Sequence, residues 1–157
     1  MSKRARMCAR LTHALPRPAI EVRSFDAGDL PALAALMHRA YVGTVDYEGE
    51  TPEQAAEEIR RTAAGHYGPL RARASKVVVR SGSPLAAALV TTFGQRPFVA
   101  YTFSEPALWG QGLARACMQA AMSELAADGE RELHLVVTLA NTRAVGLYAS
   151  LGFAFVR

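Results

Sequence analysis

The spacing of apolar positions changes period along this chain, and each change marks an element. Ile20–Phe25 begins by alternating apolar and polar, which predicts a first strand. Leu30, Leu33, Leu36 and Met37 then recur at helical spacing to about Tyr41, with Asp26 or Asp29 as cap and Pro31 in the first turn. A polar loop, 43–50, precedes Thr51-Pro52-Glu53-Gln54, which opens a second helix with Ala55, Ala56 and Ile59 on one face. Gly65 and Gly68-Pro69 mark its end. Three short β-rich runs follow, 76–80, 85–93 and 98–103. Turns of about four residues separate them, as in an antiparallel meander. A helix is predicted over 111–127. Glu132–Leu139 is a strand with Leu133, Leu135 and Val137 on one face and His134, Val136 and Thr138 on the other. Asn141-Thr142 caps a last helix ending at Leu151-Gly152, and Phe153–Val156 is strand-like. The predicted order is β-α-α-β-β-β-α-β-α-β. It describes a mixed α/β (α+β) fold with a mostly antiparallel central sheet flanked by helices.

Composition narrows the class. A chain of 157 residues, 50% hydrophobic and 20% charged, can build one real core. It has no apolar run near ~18 residues, so no membrane partner is expected. The basic N-terminus lacks the ~7–15-residue apolar stretch of a secretory signal. Cys8 and Cys117 make neither a metal set nor a disulfide framework; a cytoplasmic location and no metal are expected. Cys117 reads as a small buried apolar residue. Five of the 18 basic residues and none of the 14 acidic ones lie in 1–17, which leaves 13 against 14 for the rest. That asymmetry predicts a flexible basic leader over 1–17, bounded by Pro16 and Pro18, and a single domain over 18–157. The leader has no interleaved aromatics, so no specific nucleic acid is expected as partner.

The densest chemical signal is Glu105-Pro-Ala-Leu-Trp-Gly-Gln-Gly-Leu-Ala-Arg115. A predicted strand runs into Gly110-Gln111-Gly112 and then into a helix. Glycines tolerate positive φ and let the backbone approach a ligand. The first-turn amides of the helix lack internal partners, and the helix dipole adds partial positive charge. Such a turn receives phosphate, which predicts a phosphate-bearing cofactor at 108–114. The alternative is an ordinary tight turn, because the third glycine of a dinucleotide fingerprint and the Gly-Lys-Ser/Thr of a P-loop are both missing.

A second block lies one helix and one strand later: Asn141-x-x-Ala144-x-x-x-Tyr148-x-x-x-Gly152-Phe153. With the element order and the glycine turn, it resembles the GNAT superfamily of acyl-CoA-dependent N-acyltransferases over about 20–156. The resemblance implies acetyl-CoA as cosubstrate and an amine-bearing acceptor. It implies that Leu108, Trp109, Gly110, Gln111, Gly112 and Leu113 hold the pyrophosphate through backbone atoms, with Ala114 and Arg115 entering the helix beside it. Arg115 either reaches a phosphate or faces solvent. Ala107 departs from the Arg or Gln that the family favours there. The strand ending near Ser104 would run along the pantetheine arm, with a backbone N–H near Thr102 or Phe103 on the thioester carbonyl. Asn141 would contact the pantetheine, cap the last helix, or do both. Tyr148 matches the family's general acid.

The family mechanism is direct attack of a neutral amine on the thioester. At pH 7 a lysine-like amine, pKa ~10.4, costs roughly 4.6 kcal/mol to deprotonate, against about 1.4 for an α-amine of pKa ~8. Candidate bases are Glu105, then Asp46, Glu48 and Glu50 in the first interhelix loop, and His134. The family also carries one more strand, paired between the fifth and sixth. Here that strand is expected to be missing. Either 153–157 pairs directly with 132–139, or an edge stays open for a partner copy in a homodimer. The competing reading is a non-catalytic CoA-binding sensor or interaction module of the same fold.

Overall fold

The computed structural model describes residues 3–11 and 17–157. Helices form where their ends are satisfied. Helix α1 (Leu30–Val42) follows a 3-10 turn in which Asp26 and Asp29 cap each other's backbone. Helix α2 (Pro52–Ala63) starts from Thr51, whose hydroxyl accepts from the Gln54 amide while the Gln54 side chain accepts from the Thr51 amide. Helix α3 (Leu113–Ala127) begins at Gly112, and α4 (Thr142–Ser150) at Asn141.

Seven strands form one sheet: β1 (Arg4–Arg10), β2 (Arg23–Ser24), β3 (Lys76–Arg80), β4 (Ser83–Phe93), β5 (Arg96–Ser104), β6 (Glu132–Thr138) and β7 (Ala154–Phe155). The spatial order is β2-β3-β4-β5-β6-β1-β7. All pairs are antiparallel except β5–β6. The mixed fold and mostly antiparallel sheet are as the sequence predicts. β2 is shorter than expected, only two residues of the 20–25 run.

Strand β4 explains its own apolar run. Ala86, Ala88 and Val90 face a core shared with α3, β1 and β6, whereas Ala87 and Leu89 face a second core under α1 and α2. Alternate residues point to opposite faces, and both faces are covered.

The N-terminal residues require a correction. Arg4–Arg10 is a sheet strand, not a flexible leader. It pairs with β6 over seven positions, from Arg4↔Thr138 to Arg10↔Glu132, and with β7 at Met7↔Phe155 and Cys8↔Ala154. Met7, Ala9 and Leu11 are buried, while Arg4, Arg6 and Arg10 are exposed on the other face. The period of two was present in the sequence, but the dense positive charge hid it. Residues 1–2 and 12–16 of the expected leader lie outside the described residues. The expected choice between a direct β6–β7 pair and an open β6 edge is also corrected: β1 fills that slot. The open edge that argued for a homodimer is therefore absent from β6.

Candidate active site

Strands β5 and β6 pair only at Phe98↔His134, near their beginnings, and diverge beyond it. In β5 the register against β4 shifts between Leu89↔Tyr101 and Val90↔Val99, so Ala100 is a bulged residue with no partner. The splay and bulge open a cleft of about 1190 Å³ bounded by β5, β6, α2, α4 and the α1–α2 loop.

At one end of the cleft lies the glycine turn. A 3-10 turn, Pro106–Leu108, carries the chain from β5 to Trp109. Gly110 has φ 88° and Gly112 φ 80°, a left-handed region that side chains disfavour. No atom lies within 4 Å of a Cβ built on either, so the demand for glycine is conformational and the space in front is open. Gly112 caps α3 without a side-chain acceptor. The first α3 amides, those of Leu113, Ala114 and Arg115, are therefore uncapped donors. Positive-φ glycines, uncapped amides and open space fit a phosphate group. Ala114 and Phe103 line the cleft; Phe103 turns its ring into the α1–α2 core and is 4% exposed.

Trp109 donates its indole N–H to the Ser104 carbonyl at 3.1 Å. The Arg143 guanidinium sits 3.7 Å from the centre of the Trp109 ring, a cation–π stack. Arg143 was not among the residues picked from sequence. Its position two residues into the Asn141 block, facing the turn across the cleft, was the available signal. Arg115 turns elsewhere and donates to the Ser150 hydroxyl and carbonyl, tying α3 to the end of α4.

Asn141 does two things at once. Its Oδ1 accepts from the Ala144 amide at 3.1 Å and caps α4. Its Nδ2 donates to Asp46 Oδ2 at 3.0 Å, across 95 residues of chain. Tyr148, about two turns further along α4, lines the cleft yet is only 9% exposed. Its ring packs edge-on against Phe153, with centroids 5.8 Å apart. Burial pushes its pKa up, and Thr102, Asp46 and Arg143 are the polar neighbours that modulate it. A phenol held in this way stays protonated at neutral pH. Tyr41, beside Tyr148 and Asp46, is likewise pushed up by burial.

Two expected bases are not in the cleft. Glu105 pairs with Arg39 of α1 at 2.8 Å and does not line it. His134 lies in a separate hollow with Cys8 and Glu132. The acidic loop is in the cleft. Asp46, Glu48 and Glu50, with Glu57 and Glu58 of α2, outnumber the basic lining residues Arg4, Arg61 and Arg143. Cys117 is fully buried, as expected, and burial pushes its thiol up to about 12.

Residues 33–153 match the model of the Acetyltransferase (GNAT) family. The chain belongs to the GNAT acetyltransferase family. Its fold is shared with solved GNAT structures. A GCN5-related N-acetyltransferase from Sphaerobacter thermophilus superposes with a TM-score of 0.77 at 20% identity, over 98% of this chain and 48% of that one. The ribosomal-protein-S18-alanine N-acetyltransferase of Escherichia coli gives 0.65 at 23% identity, over 84% and 76%. An aminoglycoside 6′-N-acetyltransferase from Acinetobacter haemolyticus gives 0.62 at 14%, over 86% and 91%. This GNAT chain thus spans about half the length of the Sphaerobacter protein. No match was found among curated protein sequences. Membership supports acyl transfer in general, with acetyl-CoA the donor that the family generally uses. Among the described residues, no helix is long and apolar enough to cross a membrane.

Proposed function

We propose that this GNAT domain transfers an acetyl group from acetyl-CoA to a cationic primary amine by direct attack. One observation carries the reading: Asp46, Asn141 and Tyr148 meet in the same cleft that ends at the uncapped turn of α3. Acetyl-CoA supplies the activated acyl group as a thioester. The amides of Gly110 and of Gly112 to Arg115 are the donor set for its pyrophosphate, while that of Gln111 already donates to the Leu108 carbonyl. A hydrogen bond to a charged acceptor contributes roughly 1.5–3 kcal/mol, so a few give micromolar binding. Arg143, parked on Trp109, is a further cation within the same region.

On the acceptor side, five carboxylates against three guanidiniums favour an amine that arrives as an ammonium ion. Asp46 is the best candidate to take its proton, directly or through a water, because Asn141 orients the carboxylate and Tyr148 is its neighbour. Tyr148 gives its proton to the departing thiolate. The thiol has a pKa near ~8.5 and tyrosine near ~10, so the phenol is the weaker acid. Its contribution rests on position beside a developing charge in a dry site. Glu105 drops out of the base role because Arg39 already holds it.

The test is release of free CoA thiol from acetyl-CoA across a panel of polyamines, aminoglycosides, amino acids and peptide N-termini. Polycationic amines are expected to give the highest kcat/KM. Calorimetric binding of CoA with no thiol release for any acceptor would instead favour a non-catalytic binding module.

A further inference from the structure

A second cluster of chemically active side chains lies at the start of β6, in a hollow separate from the cleft. Cys8 on β1 stands directly opposite His134 on β6. Glu132 is two residues before His134 on the same strand, so all three side chains share one face. Cys8 Sγ lies 3.5 Å from His134 Nε2, and Glu132 Oε2 lies 2.9 Å from that same nitrogen. The three ligand atoms are all within 4.8 Å of one another. We infer that Cys8, Glu132 and His134 form a binding site for a zinc-class divalent metal that clasps β1 to β6.

Nε2 carries at most one hydrogen, so a neutral imidazole that donates to Glu132 leaves the thiol to the Ala9 carbonyl at 3.8 Å and to the Glu132 carboxylate. A metal ion serves all three at once. Tetrahedral zinc, with Zn–S ≈ 2.3 Å and Zn–N and Zn–O ≈ 2.0–2.2 Å, sets S···N about 3.6 Å and N···O about 3.4 Å apart. The first spacing is already met, and the second needs about half an ångström of movement by Glu132, which is half-exposed. A thiolate selects zinc over magnesium or calcium. One thiolate and one carboxylate balance a dication.

Binding balances as follows. The Cys8 S–H bond breaks as the S–metal bond forms, and that proton leaves to solvent. The His134 proton moves from Nε2 to Nδ1 as Nε2 takes the metal. One proton is therefore released per ion. Two features limit affinity. Among the described residues His134 Nδ1 is buried and without a partner, so none of them supports the ligand ring. Arg10 and Arg96 line the same hollow and oppose a cation, and burial and the Glu132 charge hold the Cys8 thiol above its ordinary pKa, which the two guanidiniums only partly offset. The fourth position opens onto the hollow. These features describe a labile micromolar site rather than a closed structural one.

The site does not depend on the acyl-transfer reading, and its test needs no activity. Purified full-length chain, stripped with chelator, is titrated with Zn2+ and with Co2+. One ion per chain, one proton released, a raised melting temperature and a thiolate-to-cobalt charge-transfer band are expected. Cys8→Ser should abolish that band, and Cys8→Ser and Glu132→Gln should each weaken zinc at least tenfold, with metal-free melting near that of the parent. If Cys8→Ser proves unfolded, Glu132→Gln and the cobalt spectrum of the parent still decide. Cobalt binding without the band, a melting temperature indifferent to zinc, or zinc affinity unchanged in Glu132→Gln would each overturn the site.

Discussion

The two halves of the sheet are built by opposite rules. β2, β3, β4 and β5 include two hairpins, β3–β4 and β4–β5, whose partners are neighbours in sequence. β1 comes from the beginning of the chain and β6 and β7 from its last quarter or so, and every pairing among them is long-range. The halves meet at a single bridge, Phe98↔His134, and the cleft opens from that seam. The hairpin half closes locally at little entropic cost. The other half pairs only after the chain has closed loops of more than a hundred residues. A seam between independently framed halves leaves backbone unpaired without unfolding either one, and a cosubstrate arm can use that gap.

The largest expected effect comes from removing the strand that completes the second half. A chain starting at Pro18 loses β1, and with it seven register positions on β6 and both on β7. Met7, Ala9 and Leu11 leave the core, and Leu133, Leu135 and Val137 lose their cover. Loss of the cooperative thermal transition is expected by calorimetry. The milder Met7→Ala, at a position 1% exposed, should cost about 2–5 kcal/mol in denaturant titrations. A truncated chain that melts within a few degrees of the full one would mean that β1 is an accessory strand and that the halves are not equal partners.

Tyr148→Phe probes the seam itself. The ring still packs on Phe153, so stability and CoA affinity should be retained. General acid catalysis typically contributes ~10²–10⁴-fold, and kcat should fall by about that factor with little change in the acetyl-CoA KM. Because burial raises the phenol's pKa, the proton is available throughout the neutral range and the fall should not vary there with pH. The deficit should shrink for a donor with a more acidic leaving thiol. Near-normal turnover with chemistry rate-limiting would return Tyr148 to a packing role.

What was legible in the sequence follows the same division. The hairpins carry their turns beside their strands, so β3, β4 and β5 could be read from local pattern. The Gly110-x-Gly112 turn was legible because its requirement is a local φ. Asn141 and Tyr148 were legible only as members of a recurrent block. β1 was not legible. Its pattern spans seven residues with arginine at three of them, and the partner that buries Met7 lies more than a hundred residues away. Charge outweighed period in reading it as a leader. Glu105 failed for a related reason, since nothing near it in sequence announces the Arg39 that holds it. The Arg143–Trp109 stack and the Asp46–Asn141 bond are likewise long-range contacts between loops and helix ends.

Asp46 gives the smallest effect and the sharpest view of the two walls of the cleft. Asn141 donates to Asp46, and Asp46→Asn keeps an acceptor oxygen for that bond while removing the charge. The α4 cap and the cofactor wall should therefore be undisturbed, and the acetyl-CoA KM unchanged. For a polycationic acceptor the loss of one carboxylate should cost about tenfold in kcat/KM, the size expected of a partly exposed charge pair. Two causes are separable. If Asp46 only attracts the ammonium ion, the loss should be erased by salt, because the Debye length shrinks from ≈ 8 Å at physiological ionic strength to ≈ 3 Å at 1 M. If it also accepts the proton, a residual deficit should survive high salt. That deficit should be larger for a lysine-like amine of pKa ~10.4 than for an α-amine of pKa ~8, because the former has more free energy of deprotonation to recover. Initial rates for both amines at two salt concentrations decide the matter. Equal kcat/KM for parent and variant under all four conditions would move the base elsewhere on the acidic wall, with Glu48 and Glu50 next to be changed.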